Sequence, residues 1–252
     1  MSKRVYLSGS INKALTIIEC VGKSSKQLKA SEVANLTKLE RATAFRILTY
    51  LTSLGYIFKD HSNNLYSLGH KIFEFGDKSD FLKTLTTYSM QHIRNLSKES
   101  QLITYLAVLE GPHIMYCDKV EPGGDSYAPR AFRMRLDAHS CALGKAMLAY
   151  KSFDELKEIY KTYSLHKHTK NTIVTLENLY AELRKVRKNG YSINMAETFD
   201  YVYGVGAPIL DVKNKAVAAI SLSGTESTIN IKTIPNLAEK LLFASNSISN
   251  EL

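Results

Sequence analysis

Residues 10–68 constrain the fold of this chain most, because their pattern predicts three helices followed by a β-hairpin. Apolar residues recur every three or four positions over residues 10–21, 30–36 and 40–54, as along one face of a helix. Two short apolar runs, residues 56–60 and 65–68, flank a polar turn and predict paired strands. Three helices and a hairpin in this order form the winged helix-turn-helix layout.

The same spacing predicts which side of each helix is buried. The residues assigned to that side are Ile11, Ala14, Leu15 and Ile18 in the first helix, Val33, Ala34 and Leu36 in the second, and Ala44, Ile47, Leu48, Leu51 and Leu54 in the third. Gly55 suits the end of the third helix, and Asn63 and Asn64 suit the tip of the hairpin, because both residue types tolerate a left-handed backbone.

Positive charge is concentrated in this segment. The 252 residues include 33 Lys and Arg against 24 Asp and Glu, a formal net charge of +9. Residues 1–76 hold 11 basic and 5 acidic side chains, a net of +6, which leaves +3 for the remaining 176 residues. A basic surplus favours a polyanionic partner, although a solvated surface is an alternative explanation of charge alone.

The third helix offers a surface for reading DNA once its buried side is set aside. Arg41, Thr43 and Arg46 remain near its N-terminal end, the part of a recognition helix that meets base edges in the major groove. Arginine can bond to guanine through two donors, and threonine can bond to a base or a phosphate. Exposed helical charge is more often merely solvated, but the order helix, helix, basic helix and wing favours DNA binding.

Other residues near that helix suit the DNA backbone and the minor groove. Lys38, Arg41 and Lys59 suit contacts to phosphates, which position a protein without reading sequence. Asn63 and Asn64, at the hairpin tip, suit the neighbouring minor groove. We therefore predict that residues 1–68 form a DNA-binding domain whose partner is double-stranded DNA.

Residues 69–79 are predicted to form a linker helix, and residues 80–252 a second domain. After a helix from residue 81, strands are predicted at residues 102–109, 113–120, 132–136, 191–194, 207–212 and 216–223, and helices near residue 140 and at residues 153–161, 175–188 and 231–248. Helices before and after a mostly hairpin-connected sheet predict an α+β fold.

The strand at residues 217–223 indicates a polar cavity in the second domain. Its side chains alternate, with Ala218, Ile220 and Leu222 on one side and Ala219, Ser221 and Ser223 on the other. Two hydroxyls on a buried face favour a polar cavity, unless they bond to neighbouring backbone. Asn194 can add an amide, and the helix that begins after Ser140 can hold an anion with its free backbone N–H groups.

Six motifs of the chain resemble the IclR family of bacterial regulators. They are INKALTIIE at residues 11–19, AFRIL at 44–48, LGY at 54–56, YSLG at 66–69, AHSCALGKA at 138–146 and AAISLSG at 218–224. Together they span nearly the whole chain. The resemblance implies a winged-helix domain, a linker helix and a GAF-like effector-binding domain with a mainly antiparallel sheet. It also implies homodimers or dimers of dimers that bind palindromic operators.

The resemblance further implies where an effector binds. The matching positions are Ala142, Leu143, Asn194, Gly204, Ser221 and Ser223. In these regulators, backbone N–H groups at the positions of Ala142 and Leu143 hold a ligand carboxylate, so a small organic acid is expected. Asn194 stands where some members have an acidic residue, and Gly204 where some have Cys. These two departures predict a less acidic pocket and a different ligand.

The cysteines and the glycine–lysine pair give no support for a cofactor. Cys20, Cys117 and Cys141 are scattered and form no CxxC pair, which argues against a zinc ribbon and fits a reducing, cytoplasmic environment. Gly144 and Lys145 lack the other residues of a phosphate-binding loop. No apolar stretch approaches the ~20 residues of a membrane span, so no membrane partner is expected.

The histidines suggest neither catalysis nor metal binding. His139 and Cys141 are two residues apart at a helix start, a spacing that disfavours a base–nucleophile pair. His166 and His168 have no Cys or carboxylate partner at ligand spacing, so we expect them on a loop surface. No catalytic residue, metal ligand or cofactor is therefore assigned.

Two functions remain open at this point. The favoured one is a repressor or activator that responds to a small molecule, with the helix at about residues 69–78 transmitting the response. The alternative is a small-molecule enzyme whose winged helix makes protein contacts.

Overall fold

The computed structural model describes residues 9–24, 26–77, 80–123 and 135–252. The chain divides into two units, Met1–Asp80 and Phe81–Leu252. Of the predicted linker helix the described residues include 69–77, and of the strand predicted at 132–136 only the last two. The remaining residues of both lie outside the described part of the chain. The domain boundaries after residues 68 and 79 stay predictions.

The described part of the first unit contains the three helices and the hairpin that the sequence predicts. Its elements are α1 (Gly9–Lys23), β1 (Leu28–Lys29), α2 (Ala30–Thr37), α3 (Arg41–Ser53), β2 (Ile57–Asp60), β3 (Leu65–Leu68) and α4 (His70–Asp77). The strands form an antiparallel sheet in the order β1-β3-β2. The short strand β1 was not predicted. It adds a third strand to the wing.

The buried side of α1 differs from the one that the sequence predicted. Ile17 and Val21 are buried, whereas Ile11 is 56% exposed and Leu15 is 52% exposed. Isoleucines at both 17 and 18 give α1 two overlapping apolar faces, so spacing alone did not decide between them. Two other residues predicted to be buried are exposed, Leu36 of α2 and Leu54 after α3. The rest of the core is Leu28, Val33, Ala34, Ala44, Leu48, Leu51, Ile57 and Tyr66.

The second unit is built on one antiparallel sheet with helices on both faces, which confirms the α+β prediction. Its described elements are α5 (Asp80–Ser100), β4 (Ile103–Glu110), β5 (His113–Val120), β6 (Arg135–Asp137), a 3-10 turn (Ala138–Ser140), α6 (Ala142–Leu148), α7 (Phe153–Ile159), α8 (Leu176–Asn189), β7 (Ser192–Met195), β8 (Tyr203–Leu210), β9 (Ala216–Gly224) and α9 (Ile234–Glu251). The six strands follow the order β6-β5-β4-β9-β8-β7.

The alternation predicted for residues 217–223 separates the two faces of the sheet. Ala218, Ile220 and Leu222 pack into a core with α5 and α9. Ala219 packs into a second core with α6, α7 and α8. The side chains that alternate with the first core, including Ser221, therefore face α6. In the described residues, no helix is both long enough and apolar enough to cross a membrane.

Candidate functional site

The outer face of α3 presents most of the residues predicted to contact DNA. Arg41 is the first residue of α3, and both it and Arg46 are exposed. Neither arginine forms an ion pair with a described residue. Thr43 is half-buried and lines a groove of about 480 Å³ together with Arg46 and with Lys13 of α1.

Lys38 lies in the turn that connects α2 to α3. Its backbone is left-handed, with φ of 55°, and its N–H bonds to the carbonyl oxygen of Asn35 at 3.2 Å. The next residue, Leu39, donates its N–H to the carbonyl of Ala34 at 3.0 Å. These bonds close the turn and leave the exposed Lys38 side chain two residues before Glu40, the N-cap position of α3.

The predicted DNA contacts on the hairpin differ in how exposed their side chains are and in whether those side chains already form hydrogen bonds. Lys59 is half-buried, with Nζ 5.8 Å from the centre of the Tyr66 ring. Asn63 lies at the tip, but its Nδ2 donates to Asp60 at 2.8 Å and its Oδ1 accepts the Leu65 N–H at 2.9 Å. Asn64 is exposed and left-handed, with φ of 57°.

The turn also contains a carboxylate that the DNA prediction did not consider. Asp60 accepts hydrogen bonds from the hydroxyl of Ser62 at 2.7 Å and from its backbone N–H at 2.9 Å. These bonds hold the pKa of Asp60 below its ordinary value. Asp60 is therefore ionised at neutral pH, and with Asn63 engaged in the turn, Asn64 is the better candidate for a groove contact.

In the second unit, all six residues assigned to an effector border one cavity of about 210 Å³. Four come from strands β7, β8 and β9, and two from the start of α6. The residues that line it are Tyr105, Tyr116, Leu136, Cys141, Ala142, Leu143, Asn194, Thr198, Phe199, Val202, Gly204, Ser221, Leu222 and Ser223. The sequence did not predict Tyr105, Tyr116 or Thr198, which follow no local polar pattern.

Two polar groups of the wall are available to a ligand. Ser221 is only 4% exposed, and its hydroxyl bonds to no described residue. Asn194 accepts the Glu197 N–H at 2.8 Å through Oδ1, which assigns the amide orientation and leaves Nδ2 for the cavity. The backbone bonding considered as an alternative for the serines is absent for Ser221 and Ser223 among the described residues.

The start of α6 closes one side of the cavity. The Sγ of Cys141 accepts the N–H of Gly144 at 3.4 Å and so caps the helix. Burial raises the pKa of this thiol to about 12, so the sulfur is neutral at physiological pH. His139, two residues before this cap, directs Nε2 to the carbonyl of His166 at 3.1 Å.

A buried ion pair lies behind the wall. Lys145 of α6 is 1% exposed, and its Nζ is 2.5 Å from Oε1 of Glu197. Burial raises the pKa of Glu197, and the Lys145 ammonium opposes that shift. Because the Glu197 N–H bonds to Asn194, the pair fixes the segment that orients the Asn194 amide. The only sequence signal for this pair was a lysine inside an otherwise apolar helix.

The expectation that His166 and His168 lie on a loop surface is confirmed, because both are exposed in the segment between α7 and α8. The expectation that they lack a carboxylate partner is wrong. A carboxylate does lie within reach of both rings, because β6 contributes Asp137, whose Oδ2 is 2.9 Å from His168 Nε2 and 3.4 Å from His166 Nδ1. The spacing criterion missed it because Asp137 precedes these histidines by 29 and 31 residues in the chain. His168 therefore lies on the loop surface but is bound to β6 through Asp137.

Comparison with known proteins gives matches over nearly the whole chain. The domain family described as IclR helix-turn-helix domain matches residues 10–61, and the family described as bacterial transcriptional regulator IclR C-terminal matches residues 83–250. The chain is 27% identical over 243 residues to the HTH-type transcriptional regulator XynR of Escherichia coli, covering 96% of each protein.

Solved structures of similar proteins share the fold. The IclR protein of Thermotoga maritima is 28% identical, with a TM-score of 0.68 and coverage of 96% of this chain and 98% of that one. An IclR homologue of Microbacterium hydrocarbonoxydans, crystallised with 4-hydroxybenzoate, is 19% identical, with a TM-score of 0.80 and coverage of 96% and 98%. The curated relatives are transcriptional regulators, which disfavours the enzyme alternative.

Proposed function

The chain belongs to the IclR family of bacterial transcriptional regulators, and from that premise we propose that a small organic acid in the cavity controls its binding to a palindromic operator. The observation that carries the effector part is the Ser221 hydroxyl, which lines the cavity and bonds to no described residue. A hydroxyl that faces a cavity and bonds to no neighbouring group can donate a hydrogen bond to a ligand carboxylate.

The DNA contacts that we propose are Lys38, Arg41, Thr43 and Arg46, with Lys59 and Asn64 on the wing. Arg46 is the best candidate for reading a base, because it is exposed on the outer face of α3 and forms no ion pair with a described residue. Lys38 and Arg41 lie at the N-terminal end of α3 and suit phosphates. Asn63 contributes to the hairpin tip rather than to a groove, since both ends of its amide are engaged.

A binding titration with the DNA upstream of the protein's own gene tests this part. We expect submicromolar binding that weakens by at least about tenfold from low to physiological salt, because phosphate contacts release counterions. Arg46→Ala should cost about 1–3 kcal/mol if the side chain reads a base. Arg184→Ala removes the same charge from an exposed position on α8 and should leave binding unchanged. Equal affinities for the two variants would refute the role of Arg46.

A palindromic operator requires at least two copies of the reading helix, related by a two-fold axis. We therefore propose that the chain binds DNA as a homodimer or as a dimer of dimers. Light scattering on the purified operator complex should give two or four chains per duplex. One chain per duplex would contradict this proposal.

The cavity supports a small, partly aromatic or apolar acid as effector. Its volume of about 210 Å³ is below the roughly 300–1,000 Å³ of sites for drug-sized ligands. Leu136, Phe199 and Val202 supply apolar wall, while Ser221 and Asn194 supply hydrogen bonds. The 4-hydroxybenzoate bound to the Microbacterium homologue is an acid of this kind, although the wall residues here set their own preference.

A thermal-shift screen of small carboxylic acids tests the effector site, since a ligand that binds the folded chain raises its melting temperature. Ser221→Ala and Asn194→Ala should each abolish most of the shift given by a hit. Ser227→Ala, at an exposed position outside the cavity, should retain it. An undiminished shift in both cavity variants would show that the ligand binds elsewhere, and a panel without any hit would contradict an organic acid.

A further inference from the structure

Four of the seven histidines in the chain surround one carboxylate, that of Asp137 in β6. His168 Nε2 lies 2.9 Å and His166 Nδ1 lies 3.4 Å from Oδ2. His113 Nε2 lies 3.5 Å from Oδ1, which also accepts the hydroxyl of Tyr163 at 2.7 Å. Burial raises the pKa of Asp137, but hydrogen bonds from Tyr163 and His168 outweigh it, so the net shift is downward and the group is a carboxylate at neutral pH.

The fourth histidine, His139, has a ring nitrogen without a partner. Its side chain is completely buried, and its Nε2 is 3.1 Å from the carbonyl oxygen of His166. A carbonyl can only accept, so Nε2 carries the proton and Nδ1 holds a lone pair. That Nδ1 is buried and has no hydrogen-bond partner in the described part of the chain. An imidazole whose other nitrogen donates to a backbone carbonyl is the form that proteins commonly present to a metal ion.

We propose that Asp137, His139 and His168 bind a divalent transition-metal ion. Each of the three offers a ligand atom, and these atoms all lie within 4.8 Å of one another. Two imidazole nitrogens and one carboxylate oxygen suit zinc, cobalt or nickel, whereas magnesium and calcium prefer an all-oxygen set. Water or His166 Nδ1, which is already 3.4 Å from the carboxylate, completes the coordination.

Binding of the ion changes the position of one proton and leaves the charges of the three ligands unchanged. In the metal-free chain, His168 Nε2 donates a hydrogen bond to the Asp137 carboxylate, so the neutral ring carries its proton on Nε2. When the ion takes the place of that proton, the neutral ring carries the proton on Nδ1 instead. The carboxylate and two neutral imidazoles then share the dipositive charge, and no oxidation or reduction is involved.

The ion would join two segments that both lead to the cavity wall. Asp137 and His139 lie four and two residues before Cys141, the cap of α6. On the other side, His168 precedes Thr169, whose hydroxyl donates to the carbonyl of Ala196 at 2.7 Å. The site rests on its own ligands and not on the proposed effector, but it predicts that metal stabilises the second unit.

Metal binding to the full chain, stripped with EDTA and dialysed, tests the proposal. Equilibrium dialysis with Zn²⁺ should give one ion per chain, and Co²⁺ should give the visible absorption of a site with nitrogen ligands. Asp137→Asn and His168→Gln should each weaken binding by at least about tenfold. The matched control is His70→Gln, because His70 is exposed on α4 and 3.9 Å from Glu74. It should bind zinc as the parent does.

A second measurement does not depend on the folding of any variant. Diethyl pyrocarbonate modifies accessible neutral imidazoles, and peptide mass mapping identifies each modified histidine. Zinc should protect His168, which is partly exposed, and leave His70 reactive. Failure of the parent chain to bind one ion of Zn²⁺, Co²⁺ or Ni²⁺ at micromolar concentration would overturn the proposal. So would unchanged binding in folded Asp137→Asn and His168→Gln, or protection of His70 instead of His168.

Discussion

At the scale of single residues, Lys38 combines a strained backbone with a proposed DNA contact. Its φ of 55° is unfavourable for a residue with a Cβ atom, and glycine adopts it freely. Lys38→Gly should therefore raise the free energy of unfolding by up to about 1 kcal/mol while weakening operator binding. Urea melts and fluorescence anisotropy measure the two effects separately.

The control for Lys38 is Asn214, which has φ of 56° in the turn between β8 and β9. Asn214→Gly relieves a similar backbone in the second unit, so stability should change little or increase and DNA affinity should stay constant. If Lys38→Gly bound the operator as tightly as the parent chain, a phosphate contact by Lys38 would be excluded.

Substitution by alanine should affect stability differently at two nearby glycines of β8, Gly204 and Gly206. A Cβ on Gly206 would lie 2.7 Å from backbone atoms of Ala142, whereas on Gly204 its nearest neighbour is the Leu222 carbonyl at 3.2 Å. Gly206→Ala must push α6 away from the sheet and should cost about 1–3 kcal/mol of stability. Gly204→Ala should cost less than about 1 kcal/mol but narrow the cavity and weaken effector binding.

Urea melts of the two glycine variants, followed by titration with a screened acid, check this prediction. Gly204→Ala is the informative variant for effector binding, because we expect it to fold while its cavity is smaller. Unchanged effector affinity in folded Gly204→Ala would mean that the ligand does not approach β8.

At the scale of elements, the cap of α6 links helix stability to the cavity. All seven residues of α6 are buried, and Cys141 Sγ caps the helix through the Gly144 N–H at 3.4 Å. Cys141→Ala removes that acceptor and should lower the free energy of unfolding by about 1 kcal/mol, whereas Cys141→Ser keeps an acceptor and should lower it less. Equal losses in urea melts would show that packing of the sulfur, and not capping, is what matters.

Hydrophobic periodicity predicted the features that are determined by residues close together in the sequence. The alternation of Ala218, Ile220 and Leu222 with Ala219 and Ser221 was confirmed, because a strand has only two faces. The face of α1 was not, because adjacent Ile17 and Ile18 suit two orientations and only packing against α2 and α3 selects one. Strand β1 was missed because its two residues become a strand only by pairing with Tyr66 and Leu65 of β3.

The same distinction applies to the candidate sites. Ser221 was predicted to face a cavity from its own strand pattern, and the family resemblance added Gly204 and Leu143. Tyr105 and Tyr116 reach the cavity only because β4 and β5 pair beside β9, which no local pattern encodes. The cluster around Asp137 was also not predicted, because its member His168 lies 31 residues away in the sequence. Contacts of this kind need the register of the whole sheet.

At the scale of the whole molecule, the two proposed binding sites lie in different units, so control of DNA binding must be a coupling between them. The reading surface belongs to Met1–Asp80 and the cavity to Phe81–Leu252. If the effector changes operator affinity by some factor, the operator must change effector affinity by the same factor, because the binding free energies form a closed cycle. Typical coupling corresponds to factors of about 5–150.

This reciprocity gives a prediction that uses two independent titrations. Operator affinity is measured with and without saturating effector, and effector affinity is measured for the free chain and for the chain saturated with operator. The two ratios should agree within error and should both approach one in Ser221→Ala, which loses the effector.

Arg46→Ala should weaken operator binding without changing effector affinity of the free chain, because that side chain lies in the other unit. If effector affinity were the same with and without operator, the cavity would bind a ligand that does not regulate DNA binding, and the proposed function of the cavity would be wrong.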